Sequence, residues 1–271
     1  MRPPLKWAGG KRSLVERIVG LFPEDYRNRR YHEPFLGGGA VFFHLRPRGG
    51  SVNDINPRLM NFYRVVRDSP GELIEEASGY RYDEAEYYRL RSRFNSPVLS
   101  PVEDAALFLY LNKTAYNGLY RVNSRGEFNV PFGRYVNPTI VPRKGIMRAS
   151  RLLKGIDIHC SDFGYILDVA GSGDLCYLDP PYNPASETAN FTDYATDGFE
   201  APEQERLRDL CLKLERRNVI FVLSNSDTEL VRSLYEPLTD FKMVSFPTRR
   251  MISSKVSSRS SGCDLLITNS R

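Results

Sequence analysis

Short apolar runs punctuate the chain and alternate with stretches in which apolar residues recur at helical spacing. The runs lie in "RYHEP", "SVND", "IDIHC", "LCYLD", "NVIFVLSN", "FKMVSF" and "CDLLIT". Each has the length of a strand, and strands interleaved with helical patterns predict an α/β fold. The plainest helix is "PEQERLRDLCLKLERR". Pro202 suits its first turn, and Leu207, Leu210, Cys211 and Leu214 fall on one face with charge opposite, so this helix is expected to pack on the sheet.

From 57 to 144 the texture changes. The helical segments "EAEYYRLRSRF" and "EDAALFLYLNKTAY" lead into the loop-rich run "NGLYRVNSRGEFNVPFGRYVNPTIVPRK", and a loop of that length in a compact chain is usually either a binding element or disordered; here it is read as a functional loop. The expected organisation is a sheet domain from 1–56 and 145–271, interrupted by a mostly helical insert at 57–144. The run "SSKVSSRSSG", 253–262, reads as a flexible, basic surface loop.

A chain of 271 residues accommodates one α/β core with an insert. With 41% hydrophobic and 26% charged residues, wholesale disorder is excluded. Lys and Arg number 38 against 33 Asp and Glu, a balance that permits a polyanionic partner without demanding one. The start, "MRPPLKWAGGKRS", has prolines and basic residues where a secretory signal needs an apolar stretch, and no run approaches membrane-spanning length. A cytoplasmic protein without membrane association is expected. Cys160, Cys176, Cys211 and Cys263 form no C-x-x-C pair and sit mostly in apolar runs, while His32, His44 and His159 have no ligand spacing. Reduced, packed thiols, no disulfide and no metal are predicted.

Candidate chemistry gathers at strand ends. In "YHEPFLGGGAVFFHL" an expected strand runs through Gly37, Gly38 and Gly39 into an amphipathic helix, a turn that serves either as a tight connection or as a place where backbone approaches a ligand. At the end of "SVND", Asp54 stands where open α/β sheets bind nucleosides, and a carboxylate there accepts hydrogen bonds from both ribose hydroxyls. The competing role, capping the helix that begins near Pro57, suits Asn56 better. "KWAGGK" lacks the spaced leading glycine of a phosphate loop and a Ser or Thr directly after its last lysine, which rejects a nucleotide triphosphate. Trp7 within it is either a packed core residue or cover over a planar or cationic ligand.

The corner "CYLDPPYNP" carries the sharpest signal. Asp179 follows the strand, the prolines fix the main chain, and the Pro180 carbonyl is a second acceptor beside the carboxylate. An exocyclic amine supplies two donors, and Tyr182 supplies a face on which its ring stacks. Turn chemistry alone does not require these four residue types in this order.

Asp179-Pro180-Pro181-Tyr182, with Phe35-Leu36-Gly37-Gly38-Gly39 upstream, resembles the amino-methyltransferases that use S-adenosylmethionine on adenine N6 or cytosine N4. The order of parts, with Lys6 to Lys11 first and the insert before the Asp-Pro-Pro-Tyr corner, resembles the alpha group of adenine-specific DNA methyltransferases. The run from Tyr116 to Tyr135 is similar to the Dam family, which methylates adenine in GATC. The resemblance spans Leu5 to about Ile267. It implies a Rossmann-like, S-adenosylmethionine-dependent methyltransferase fold with a seven-stranded sheet and an inserted target-recognition domain.

It further implies that Trp7, Ala8, Gly9, Lys11, Phe35, Gly37, Gly39 and Asp54 hold the cofactor, with Asp162 on its adenine amine and Phe163 packing nearby. Asp179, at the edge of the same site, would grip the target base with Pro180, Pro181 and Tyr182. Double-stranded DNA would be the partner of an expected monomer. Arg121 and Leu119 would contact bases, Pro131 would make an apolar contact, and Tyr116 and Asn117 would open or fill the duplex. Lys6 would touch the first base pair, with Asn129 and Arg134 completing the DNA-binding set. The loop at 253–262 matches the family in character but not residue by residue. The rival readings are the same chemistry on cytosine N4, RNA adenine or a protein amide, and a DNA-binding module with a dead centre.

Overall fold

The computed structural model describes residues 1–7, 9, 11, 14–181, 199–249 and 261–270. All seven apolar runs form strands: β1 Tyr31–Glu33, β2 Gly50–Val52, β3 Ile156–Ile158, β4 Leu175–Leu178, β5 Ile220–Ser226, β6 Lys242–Arg249 and β7 Ser261–Thr268. They make one mixed sheet in the order β3-β2-β1-β4-β5-β7-β6. β2 and β3 pair in parallel, as do β1 with β4 and β4 with β5, while β7 runs antiparallel to both β5 and β6. Every residue of β4 is buried, as a strand covered on both faces requires, and this is why it reads as an unbroken apolar run.

The chain divides into two compact units, Met1–Val15 with Leu36–Phe163, and Glu16–Phe35 with Gly164–Arg271. In the first, helix Pro57–Asp68 packs on helices Pro101–Thr114 and Arg143–Leu153. Helix Pro101–Thr114 is buried almost all round, from Ala105 to Asn112, the pattern of a helix inside a core rather than on a surface. Its Phe108 joins Phe62, Phe94 and Tyr120 in an aromatic cluster. Helix Glu84–Phe94 coincides with the predicted segment, starting where Asp83 accepts from the Glu86 N–H.

In the second unit, helix Ala201–Arg216 buries Leu207, Leu210, Cys211 and Leu214, the face its spacing predicts. Helix Glu229–Tyr235 packs against it and buries Val231 and Tyr235.

Three expectations need correction. Ser261 and Gly262, read as loop, already pair in β7 with Arg249 and Thr248, because an antiparallel partner recruits polar residues into a ladder that local composition does not announce. Arg143 and Lys144, read as the end of a loop, open helix Arg143–Leu153. Cys176 and Cys211 are buried as expected, but Cys160 and Cys263 are exposed. Among the described residues, no helix is long and apolar enough to cross a membrane.

Candidate active site and nucleic-acid interface

In the first unit, the chain leaves β2 through two braced residues. Asn53 is buried, and it clamps the chain beyond β3: its Nδ2 donates to the Ser161 carbonyl at 2.9 Å and its Oδ1 accepts from the Ser161 N–H at 2.9 Å. The stretch carrying Asp162 is thereby fixed to the stretch carrying Asp54. Asp54 is held by main chain, its Oδ2 accepting from the Gly37 N–H at 2.9 Å and its Oδ1 from the Asn56 N–H at 3.0 Å. Burial pushes its pKa above the usual carboxylate value, and those N–H groups oppose the shift. Asn56 caps helix Pro57–Asp68, accepting from the Arg58 and Leu59 N–H groups, so the capping role that competed for Asp54 is filled by its neighbour.

Gly37 has φ +48, and a Cβ there would lie 2.8 Å from Trp7 Cδ1. Only glycine fits between the turn and the indole. The indole stacks on Tyr120 at 5.8 Å and on Phe108 at 6.3 Å, so Trp7 packs on the glycine turn and on the loop beyond helix Pro101–Thr114 at once. Gly39 also sits at positive φ, +68, with Phe43 and Leu36 crowding its Cβ position. Lys11 is buried, its Nζ donating to the Gly9 carbonyl at 3.0 Å. Asp162 is exposed and Phe163 buried. Ala8 lies outside the described residues.

In the second unit, β1 leads into Pro34 and Phe35, and the Phe35 ring meets Phe199 edge-on at 5.8 Å. Within β1 the Tyr31 hydroxyl donates to Glu33 Oε2 at 2.6 Å; both side chains are buried. Asp179 follows β4 directly and is half-buried. Its Oδ1 accepts from Ser224 Oγ at 2.8 Å. Pro180 is buried and Pro181 exposed; Tyr182 lies outside the described residues, as does 253–260. A carboxylate fixed at a strand end beside a proline frame suits an acceptor for a polar ligand group.

The DNA-contact candidates of the first unit cluster around the end of helix Pro101–Thr114. Asn112 holds the Lys6 main chain from both sides, accepting from its N–H at 2.9 Å and donating to its carbonyl at 2.7 Å. The Lys6 ammonium then lies 4.2 Å over the Tyr135 ring. Tyr116 is 52% exposed. Asn117 is exposed with φ 53. Arg121 Nε donates to Asn129 Oδ1 at 2.7 Å, joining two candidates in one device. Leu119 is half-buried and Pro131 exposed, with the Pro131 carbonyl accepting from the Tyr116 N–H. Arg134 is exposed and pairs with Glu84 at 3.3 Å. Burial and the nearby Lys6 charge lower the Lys113 amine to about 8.

Sequence reasoning missed Asn53, Asn112, Lys113, Tyr120, Tyr177 and Ser224. A signal for the last was present: Ser224, Asn225 and Ser226 are polar residues closing an apolar strand, and all three are fully buried, a pattern that calls for specific partners. Among the described residues, no group of three or more His, Cys, Asp or Glu side chains gathers as a metal set.

The family model for D12 class N6 adenine-specific DNA methyltransferases matches residues 7–252. The chain is 41% identical over 276 positions to the type II methyltransferase M1.LlaDCHI of Lactococcus lactis, covering 99% of this chain and 95% of that protein. It is 39% identical to the type II methyltransferase M.MjaIII of Methanocaldococcus jannaschii, with 99% of each covered. With the DNA adenine methylase of Escherichia coli K12 the identity is 36%, over 97% of this chain and 93% of that one.

Proposed function

The chain belongs to the D12 class of N6 adenine-specific DNA methyltransferases, and from that membership we propose that it methylates adenine N6 within GATC in duplex DNA, using S-adenosylmethionine and flipping the target base. The observation that carries the reading is Asp179, fixed by a hydrogen bond at the end of a buried strand and followed by two prolines. Residues 57–144 are the segment that reads DNA, and 1–56 with 145–271 the part that transfers the methyl group.

The cofactor groups fit the donor by their chemistry. Asp54, an acceptor already aligned by two N–H groups, suits a ribose diol, and Asp162 suits the adenine amine. Trp7, Gly9, Lys11, Phe35, Gly37, Gly39 and Phe163 complete that set. S-adenosylmethionine, when bound, supplies an electrophilic methyl to the N6 lone pair, the sulfur keeping the bond pair and N6 shedding a proton to water.

The N6 lone pair is delocalised into the purine, so the protein has to localise it. Asp179 and the Pro180 carbonyl accept the two N6 hydrogens, draw the nitrogen toward tetrahedral geometry and offset the charge that develops there. A base inside the stack is out of reach of such a corner, and extrusion costs a few kcal/mol. The exposed Tyr116 and the neighbouring Asn117 fill the vacated space, offsetting part of that cost. Arg121, held by Asn129, is the guanine reader, since its fork matches O6 and N7. Leu119 and Pro131 add apolar contacts, and Lys6 touches the first pair.

The test is methylation of duplex oligonucleotides that differ at one base, together with sequencing of modified adenines in DNA from cells expressing the chain. Methylation confined to GATC adenines is expected. Modification of cytosine, or of adenine regardless of context, overturns the reading.

A further inference from the structure

Behind Asp179 stand two hydroxyls that the reaction as described leaves unused. Ser224 Oγ donates to Asp179 Oδ1 at 2.8 Å, and the Tyr177 hydroxyl lies 2.9 Å from the same Oγ. The arrangement follows from strand register. β4 and β5 run parallel with Tyr177 opposite Val222 and Leu178 opposite Leu223, so the next step brings Asp179 level with Ser224. Side chains two apart share a face of a strand, which puts Tyr177 and Asp179 on one face of β4 and Val222 and Ser224 on the matching face of β5.

A hydroxyl has one hydrogen. Because Ser224 gives its hydrogen to the carboxylate, Tyr177 must donate to Ser224, and the three groups form a chain polarised toward Asp179. Ser224 is fully buried and Tyr177 is 1% exposed, so water does not compete for the link between the two hydroxyls. The fold does not need hydroxyls there: a small apolar residue satisfies a buried strand position without the desolvation that two hydroxyls bring.

We propose that Ser224, oriented by Tyr177, is a positioning residue that sets the rotation of the Asp179 carboxylate for the target amine. The inference rests on the reading that Asp179 receives that amine. With one oxygen tied, the carboxylate plane stops turning about its Cβ–Cγ bond, and its second acceptor edge takes one direction. Ser224 itself touches neither base nor donor.

The experiment is single-turnover methylation of a GATC duplex by the full chain, with DNA affinity measured in parallel. Ser224→Ala is expected to slow methyl transfer by about 10- to 100-fold, the range that loss of a charge-assisted hydrogen bond and of alignment produces, while the Kd for the duplex stays put. Ser224→Thr, which keeps the hydroxyl, recovers most of the rate. Tyr177→Phe slows transfer less than Ser224→Ala but in the same sense, and it preserves ring packing should Ser224→Ala fold poorly. Wild-type transfer in Ser224→Ala overturns the proposal, as does a loss of DNA affinity that accounts for the slower rate. Asp179→Ala separates the two ideas. An inert Asp179→Ala beside an unaffected Ser224→Ala defeats only the role of Ser224, whereas an active Asp179→Ala defeats the reading of the corner itself.

Discussion

Asp54 and Asp179 both follow the carboxyl end of a parallel strand, yet they are held by different kinds of group. Asp54 is gripped by main-chain N–H groups of Gly37 and Asn56; Asp179 is gripped by the Ser224 side chain, in turn bonded to Tyr177. A main-chain grip comes with the turn and survives any substitution that keeps the turn. A side-chain grip is written into particular residues and is lost with one of them. The residues proposed to read DNA are held in the second way, with Arg121 steered by Asn129 and the Lys6 main chain clamped by Asn112. Lys113 marks an extreme, a half-buried amine whose charge is opposed by that of another cation, Lys6.

The contrast is open to attack at four points. The largest effect is expected at Asp179: Asp179→Ala lowers turnover by about 100-fold or more, on the scale of a lost transition-state acceptor, with duplex affinity largely kept; gel-shift and rate measurements on one preparation check both. Next, Asp54→Asn keeps only one of the two bonds to the main chain, sets an NH2 against the other N–H and removes an acceptor, weakening S-adenosylmethionine binding by roughly 10-fold, the effect of one hydrogen bond to a charged group. Calorimetry decides it, and unchanged affinity would detach Asp54 from the cofactor.

Third, Arg121→Ala lowers discrimination at one base of the site by about 1–3 kcal/mol. Asn129→Ala, which removes only the brace, does so at the same base and by less. Equal loss on every sequence assigns Arg121 to phosphate instead.

The smallest effect concerns Lys113. An amine lowered to about 8 loses its charge as pH rises through that value, so its attraction for a nearby phosphate is present below pH 8 and fades above. The log–log salt slope for duplex binding should become shallower by up to about 0.9 between pH 7 and pH 9, the contribution of one phosphate contact. Lys113→Arg, whose charge persists across that range, should abolish the change.

Much of the scaffold was legible because it is periodic. Seven apolar runs became seven strands, and the stripe of Leu207, Leu210, Cys211 and Leu214 became the buried face of a helix. The places of Asp179 and Asp54 just beyond strands were legible because each follows an apolar run, and the cap was legible because Asn56 suits it better than Asp54. What stayed hidden depends on register. Nothing local tells that Ser224 comes level with Asp179, or that Asn53 reaches Ser161 across 108 residues of chain. The extension of β7 back to Ser261 was hidden for the same reason, since its ladder is completed by a distant partner.

The chain has a single tryptophan, and that indole is stacked on Tyr120 while pressed against Gly37. All indole fluorescence therefore arises from one spot, bordered by the turn that contacts Asp54 and by the residue between Leu119 and Arg121. Emission of the unlabelled protein reports on either neighbour, so titrations with a nucleoside or with a duplex need no dye and no added probe.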